Sequence, residues 1–85
     1  MPTILEKDGF RIIIRTRDHN PPHVHVYKAE GQITIIIGSE TEPTEIVRVW
    51  DMNRSDAKKA VAIVEENRMH LLAKWREIYG EQNLR

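Results

Sequence analysis

The chain contains no cysteine, few aromatic residues and no long apolar run. Without cysteine, its 85 residues cannot form a disulfide framework, so the hydrophobic core has to stabilise the fold. That core is small, because a chain of this length buries only about 60–65% of the surface that it exposes when unfolded. No apolar run approaches the roughly 20 residues that span a bilayer, and residues 1–5 lack the pattern of a signal peptide. We therefore expect a cytoplasmic protein without a membrane partner.

Net charge is also absent, because 13 Lys and Arg residues balance 13 Asp and Glu residues. This balance argues against a general, charge-driven nucleic-acid binder, since such proteins are usually basic overall. It leaves room for a local basic patch. The sequence also lacks a glycine-rich loop of the kind that cradles phosphate groups.

Alternating and β-branched residues predict an antiparallel sheet of about four strands. The predicted strands cover residues 10–17, 24–28, 32–37 and 45–50, and a short fifth strand over residues 3–6 is an alternative. Ala29, Glu30 and Gly31 form the expected hairpin turn between the second and third strands. Gly31 is free to take a positive φ in that turn.

The C-terminal part of the chain has the three-and-four spacing of an amphipathic helix. Its apolar stripe consists of Ala57, Val61, Val64, Leu71, Trp75 and Ile78. This pattern predicts one long helix over residues 55–79, packed on one face of the sheet, with Gly80 as its stop. A break into two helices at Asn67 is the alternative. The expected architecture is α+β, with a single domain over residues 1–80 and a frayed tail over residues 81–85.

Side-chain alternation gives the predicted sheet two different faces. The apolar face, which we expect the helix to cover, carries Phe10, Ile12, Ile14, Val24, Val26, Ile33, Ile35, Ile37, Val47 and Val49. The opposite face carries His23, His25, Tyr27 and the candidates for binding phosphate or nucleic acid, namely Arg11, Arg15, Arg17, Arg48 and Trp50. Cations, imidazoles and aromatic rings on one face suit RNA, through charge-assisted bonds to phosphate and stacking on bases.

Three of the four histidines lie in one short segment, His19-Asn20-Pro21-Pro22-His23-Val24-His25. Proline restricts its own φ and the residue before it, so backbone stiffness sets the spacing of the imidazole rings. In a first interpretation, the histidines hydrogen-bond to loop carbonyl groups and fix the turn, as buried polar groups normally do.

A second interpretation of the segment is a metal site. His23 and His25 lie at i and i+2 on one strand face and form a chelating pair, with His19 or Asp18 as the third ligand. Zinc is a divalent metal that suits these donors, and three protein ligands leave a position open for water. This interpretation is the alternative to a protein without a cofactor.

A third interpretation is acid–base catalysis, most directly RNA cleavage without a metal. His23 and His25 would take the proton of a ribose 2′-hydroxyl and protonate the leaving oxygen, because imidazole titrates near operating pH. Arg15 or Arg17 would stabilise the charge that develops on phosphate. Tyr27 would be an auxiliary donor.

Three segments of the chain match a known family pattern. The chain begins Met-Pro-Thr-Ile, carries Asp-His-Asn-Pro-Pro-His-Val-His over residues 18–25, and has a helical Leu-Leu-x-x-Trp pattern at Leu71, Leu72 and Trp75. In these segments it resembles the small prokaryotic domain-of-unknown-function family numbered four-one-six-zero. Members are often encoded beside another small protein, so the resemblance implies a toxin–antitoxin-type pair with a small cognate protein as partner.

Residues and resemblance together lead to two expected functions. The first is a toxin-like component of a two-gene toxin–antitoxin-type module, a small endoribonuclease that uses the histidine–arginine face. The second is a non-catalytic protein-interaction module, metal-stabilised or homodimeric. The two functions differ in the effect of His23→Ala and His25→Ala. In the first, these changes abolish activity and leave partner binding intact.

Overall fold

The structure, a computed structural model, describes residues 3–15 and 19–79, which form five strands and two helices. The strands are β1 (Thr3–Lys7), β2 (Phe10–Ile13), β3 (His23–Lys28), β4 (Gly31–Ile36) and β5 (Glu45–Trp50), and the helices are α1 (Arg54–Glu66) and α2 (Arg68–Tyr79). The strands form one antiparallel sheet in the order β1-β2-β3-β4-β5. The predicted α+β class is confirmed, with five strands in place of about four and two helices in place of one.

Some predicted features fall outside the described residues. The strand predicted over residues 10–17 ends at Ile13 in the structure, and residues 16–18 are not described. Arg17 and Asp18, candidates for phosphate binding and metal ligation, therefore lie outside the described residues. The same holds for Gly80 and for the tail over residues 81–85.

The turn between β3 and β4 differs from the prediction. Ala29 takes the left-handed conformation, with φ of 52°, whereas Gly31 has no positive φ and begins β4. Gly31 is required there for a different reason. A Cβ atom at this position would collide with the backbone carbonyl oxygen of Asp51, so only glycine lets the two backbone segments approach.

The hydrophobic core lies between one face of the sheet and the two helices. The sheet contributes Phe10, Ile12, Ile14, Val24, Val26, Ile33, Ile35 and Ile37, all of them buried. The helices contribute Ala57, Ala60, Ile63, Val64, Leu71 and Trp75. Strict alternation along the first strands therefore predicts their buried face correctly, because successive side chains point to opposite sides of a strand.

The prediction is wrong for the last strand, because β5 contains a bulge. The register against β4 shifts between Thr34 and Ile35, so that Arg48 opposes Thr34 while Ile46 opposes Ile35. The extra residue, Val47, is a bulge residue, and a bulge of this kind interrupts the alternation of faces. Val47 is therefore exposed instead of buried. Val49 opposes the core residue Ile33, as predicted, but it is also exposed, because it lies on the edge strand.

The single helix predicted over residues 55–79 is divided at Asn67. Asn67 ends α1, and its side-chain amide donates to the carbonyl oxygen of Ile63 at 2.8 Å. The Asn67 backbone amide donates to the Ile63 carbonyl oxygen at 3.1 Å and the Leu71 amide to the Asn67 carbonyl oxygen at 2.9 Å, so hydrogen bonds join the two helices across the break. In α2, Leu71 and Trp75 are the side chains that reach the core. Within residues 3–15 and 19–79, neither helix is long and apolar enough to cross a membrane.

Candidate functional site

The face of the sheet opposite the helical core, here called the open face, carries the predicted polar residues in rows across the strands. In the first row, Arg11 opposes Tyr27, Tyr27 opposes Gln32, and Gln32 opposes Trp50. In the second row, the order is Ile13, His25, Thr34 and Arg48. In the third row, His23 opposes Ile36, which opposes Glu45. Directly opposed residues share a face, so the histidines and arginines of these rows lie on the same side.

Two arginines surround the ring of Tyr27. The Arg15 guanidinium donates from Nη2 to the Tyr27 hydroxyl oxygen at 2.7 Å. The Arg11 guanidinium carbon lies 6.0 Å from the centroid of the same ring, at the outer limit of a cation–π contact. Tyr79 on α2 also donates from its hydroxyl to the Arg15 carbonyl oxygen. This set of contacts fixes the end of β2 and leaves two cationic groups beside one phenol.

The histidine rings contact one another along the segment. The centroid of His23 lies 6.3 Å from that of His19 and 5.2 Å from that of His25, the latter pair edge to face. The Nδ1 atom of His23 donates to the Pro21 carbonyl oxygen at 2.9 Å, and His19 makes the equivalent bond to Asn20 at 3.1 Å. These bonds to loop carbonyl groups agree with the structural interpretation of the cluster.

The core residue Trp75 contacts the histidine cluster. Its indole ring lies 5.4 Å from the His23 ring and 4.3 Å from the Tyr79 ring. The neighbouring loop is tied to the sheet, because the Ile37 amide donates to the Pro22 carbonyl oxygen at 3.0 Å. His23 therefore joins the proline loop, the end of the sheet and α2.

His25 is the buried member of the cluster. The residue is only 6% exposed, and its Nδ1 atom lies 3.4 Å from the Thr34 hydroxyl oxygen on the opposing strand. The edge-to-face contact between His23 and His25 leaves no space for a phosphate group between the two rings. The arrangement therefore does not provide an acid and a base on opposite sides of one phosphate.

The metal interpretation has limited support in the described ranges. Within residues 3–15 and 19–79, no three or more histidine, aspartate or glutamate side chains are placed to hold a metal ion. Zinc needs its ligands to converge at about 2 Å from one point. A set that includes Asp18 lies outside the described residues.

A cavity of 230 Å³ lies beside the histidines on the open face. It is lined by His19, Pro21, His23, Thr34, Ile36 and Val47. Sequence reasoning missed Thr34 and Ile36 as site residues, although the two-residue turn after Lys28 fixes the register that sets them opposite His25 and His23. No comparable feature of the sequence places Val47 at this cavity, because its position depends on the bulge in β5.

The remaining candidate residues lie on β5, at the edge of the sheet. Arg48 is exposed and Trp50 is 63% exposed, both on the open face. They lie two strands away from Tyr27. The described candidate residues therefore form an extended surface and do not converge on one pocket.

Comparison with known proteins places the chain in one family. Searches of curated proteins and of solved structures gave no match. The family described as "Domain of unknown function (DUF4160)" matches residues 9–76, which include β2 to β5, α1 and most of α2. The resemblance inferred from the histidine segment is confirmed, and the chain belongs to this family.

Proposed function

We propose that this protein is the toxin-like component of a two-gene module of the toxin–antitoxin type, and that it acts on single-stranded RNA through its open face. The observation that supports this most is the register of the sheet. Arg11, Arg48, Tyr27 and Trp50 share one face, while the helical core lies on the other. Single-stranded RNA offers the phosphates and unstacked bases that such a face binds.

Charge on the open face is local and does not depend on the net charge of the chain. Arg11 and Arg48 are exposed, so their guanidinium groups can reach phosphate oxygens without large desolvation. Arg15 is held by Tyr27, which limits the conformational entropy that its side chain gives up on binding a phosphate group. This local patch is compatible with a net charge of zero.

In the proposed cleavage, His23 alone transfers the proton, through Nε2, because its Nδ1 donates to the Pro21 carbonyl oxygen. Nε2 takes the proton of a ribose 2′-hydroxyl as that oxygen bonds to the adjacent phosphorus, and the imidazolium gives the proton to the 5′-oxygen as its bond to phosphorus breaks.

His25 is buried, and its contact with His23 excludes a phosphate from the space between them. His25 contacts the His23 ring and lies 3.4 Å from the Thr34 hydroxyl oxygen, so it positions that ring. Arg15 with Tyr27 binds another phosphate of the same strand, farther along the open face. No metal takes part in this proposal.

RNA binding is tested by fluorescence anisotropy with a labelled single-stranded RNA oligonucleotide. We expect Arg11→Ala/Arg15→Ala to weaken binding, and to lower the slope of log affinity against log salt by roughly 0.7 for each phosphate that the protein no longer neutralises. The matched control is Lys58→Ala/Lys59→Ala, which removes two exposed cations of α1. Equal weakening in both double variants would mean that the protein attracts RNA by charge alone, without using the open face.

A second candidate function, a non-catalytic protein-interaction module, is supported by β5. All six residues of this strand are exposed, and four of them are large and apolar. The two candidates are distinguished by incubating RNA with the protein and with its His23→Gln and His25→Gln variants. Cleavage that His23→Gln removes in a folded variant supports the first candidate. No cleavage by any of the three proteins, with no RNA bound, supports the second.

A further inference from the structure

The strand β5 is an exposed apolar edge. Ile46, Val47, Val49 and Trp50 are 44%, 56%, 42% and 63% exposed. β5 is the last strand of the sheet, and its outer side pairs with no strand of the described part of the chain. An edge strand with unpaired backbone groups and apolar side chains is a template for pairing with another strand.

The residues of β5 alternate between the faces in a symmetric order. Ile46 opposes Ile35 and Val49 opposes Ile33, so both lie on the side of the helical core. Glu45, Arg48 and Trp50 oppose residues of the open face, and Val47 lines the open-face cavity. From Glu45 to Trp50, the six side chains therefore lie in turn on the open face, the core side, the open face twice, the core side and the open face. This order reads the same in both directions because the bulge sets two neighbouring residues on one side.

We propose that two copies of this chain pair antiparallel through β5, about a two-fold axis at the bond between Val47 and Arg48. Ile46 then opposes the partner's Val49, and Glu45 opposes the partner's Trp50. A shift of one residue in either direction sets Ile46 opposite the partner's Arg48 or the partner's Trp50, which lie on the other face. The face order therefore selects one register among those that pair most of the strand.

Charge in this register is complementary. Glu45 lies diagonal to the partner's Arg48, and the symmetry repeats this pair on the other side of the axis. Diagonal residues on one face of an antiparallel pair lie about 7–8 Å apart between Cα atoms, within reach of long side chains. The pairs lie at the surface, so they favour the correct register more than they add stability.

The same register completes the cavity beside the histidines. The partner's Trp50 continues the row of His23, Ile36 and Glu45, and it lies diagonal to Val47. His23, Ile36 and Val47 line the cavity of 230 Å³ on the open face. The partner's indole ring thus packs over this apolar cavity with one ring face, while its other face stays available on the open face. A second copy therefore contributes a side chain to the candidate site of the first.

The oligomeric state is tested by sedimentation equilibrium from low to high micromolar protein. We expect a monomer–dimer equilibrium for the natural chain and a monomer for Ile46→Lys and for Trp50→Ala. The control is Met69→Lys, which changes an even more exposed apolar residue on α2 and should leave the dimer intact. Far-UV circular dichroism checks that each variant is folded. A natural chain that stays monomeric at every concentration would overturn the proposal, as would a chain that dimerises equally well after Ile46→Lys.

The register is tested by disulfide cross-linking, which is clean because the chain has no cysteine of its own. In the proposed register, Ile46→Cys/Val49→Cys places the new thiols opposite each other, near the Cβ separation that a disulfide needs. The control, Ile46→Cys/Arg48→Cys, sets no two cysteines opposite each other in the proposed register, but brings two opposite each other when the register is shifted by one residue in either direction. Rapid cross-linking of the control and not of the first pair would overturn the register. A chain that cross-links in neither variant and associates only with a different small protein would overturn the dimer itself.

Discussion

His23 is the residue at which the proline loop, the core and the open face meet. Its Nδ1 donates to the Pro21 carbonyl oxygen, and its ring packs against Trp75 on one side and His25 on another. A side chain with this many partners stabilises the fold whatever chemistry it also performs. The structural and catalytic interpretations of the segment are therefore compatible for this residue.

Replacing His23 by alanine should lower the free energy of unfolding by about 1–3 kcal/mol, because it removes a hydrogen bond and leaves a gap beside Trp75. The measurement is urea unfolding followed by circular dichroism, with an unchanged slope against urea. His19→Ala is the matched control, since His19 is exposed, and its effect should stay within about 0.5 kcal/mol. If both variants have the stability of the natural chain, His23 does not support the loop.

The faces of single residues were predictable wherever the strands are regular. Alternation from Phe10 and from Val24 assigns buried and open positions correctly, because a strand has a period of two. At Val47 the same rule fails, since a bulge adds one residue without any local signature in sequence. The burial of His25 was also hidden, because it depends on neighbours from three strands.

At the scale of the elements, the side chain of Arg68, next to the break between the helices, attaches α2 to the sheet. Arg68 follows the break, and its guanidinium donates to the Ser39 carbonyl oxygen at 3.3 Å and to the Thr44 hydroxyl oxygen at 3.2 Å. Both acceptors lie in the connection between β4 and β5. This contact fixes the start of α2 at the end of the sheet, where Trp75 then reaches His23.

Replacing Arg68 by alanine should therefore loosen α2 more than the rest of the fold. We expect a decrease of about 1–3 kcal/mol in the free energy of unfolding, since two hydrogen bonds from a charged, half-buried group are removed. Hydrogen exchange measured by mass spectrometry should show faster exchange in α2 than in β3 and β4. The exposed Arg76 on the same helix is the matched position, and Arg76→Ala should leave both measurements unchanged. Equal exchange in all elements after Arg68→Ala would contradict this role.

The helix break could be named from the sequence only as an alternative. The apolar spacing is interrupted only at Arg68, so the periodicity favours one long helix and leaves Asn67 as its weak point. The contacts at the break come from side chains: the Asn67 amide donates to the Ile63 carbonyl oxygen, and the Arg68 guanidinium donates to Ser39 and Thr44. The Arg68 contacts join residues far apart in the chain, so periodicity does not reveal them.

For the whole molecule, the main feature is an α+β fold that covers one face of its sheet and leaves the other open. Part of the composition of that open face followed from the sequence, because Arg11, His23, His25 and Tyr27 fall on the same side of β2 and β3. The distances between its side chains did not follow from the sequence, because they depend on which residues of neighbouring strands oppose each other. The exposed β5 edge was equally hidden, because exposure of this strand depends on which part of the sheet the helices cover.

The claim that RNA binds the open face is tested most directly by an NMR titration of ¹⁵N-labelled protein with a single-stranded RNA oligonucleotide. The chain contains two tryptophans, one exposed on the open face at Trp50 and one buried at Trp75. We expect the indole N–H signal of Trp50 and the amide signals of Arg11 and Tyr27 to shift, while the indole signal of Trp75 stays in place. Shifts confined to α1, or no shifts at an excess of RNA, would contradict the proposed function.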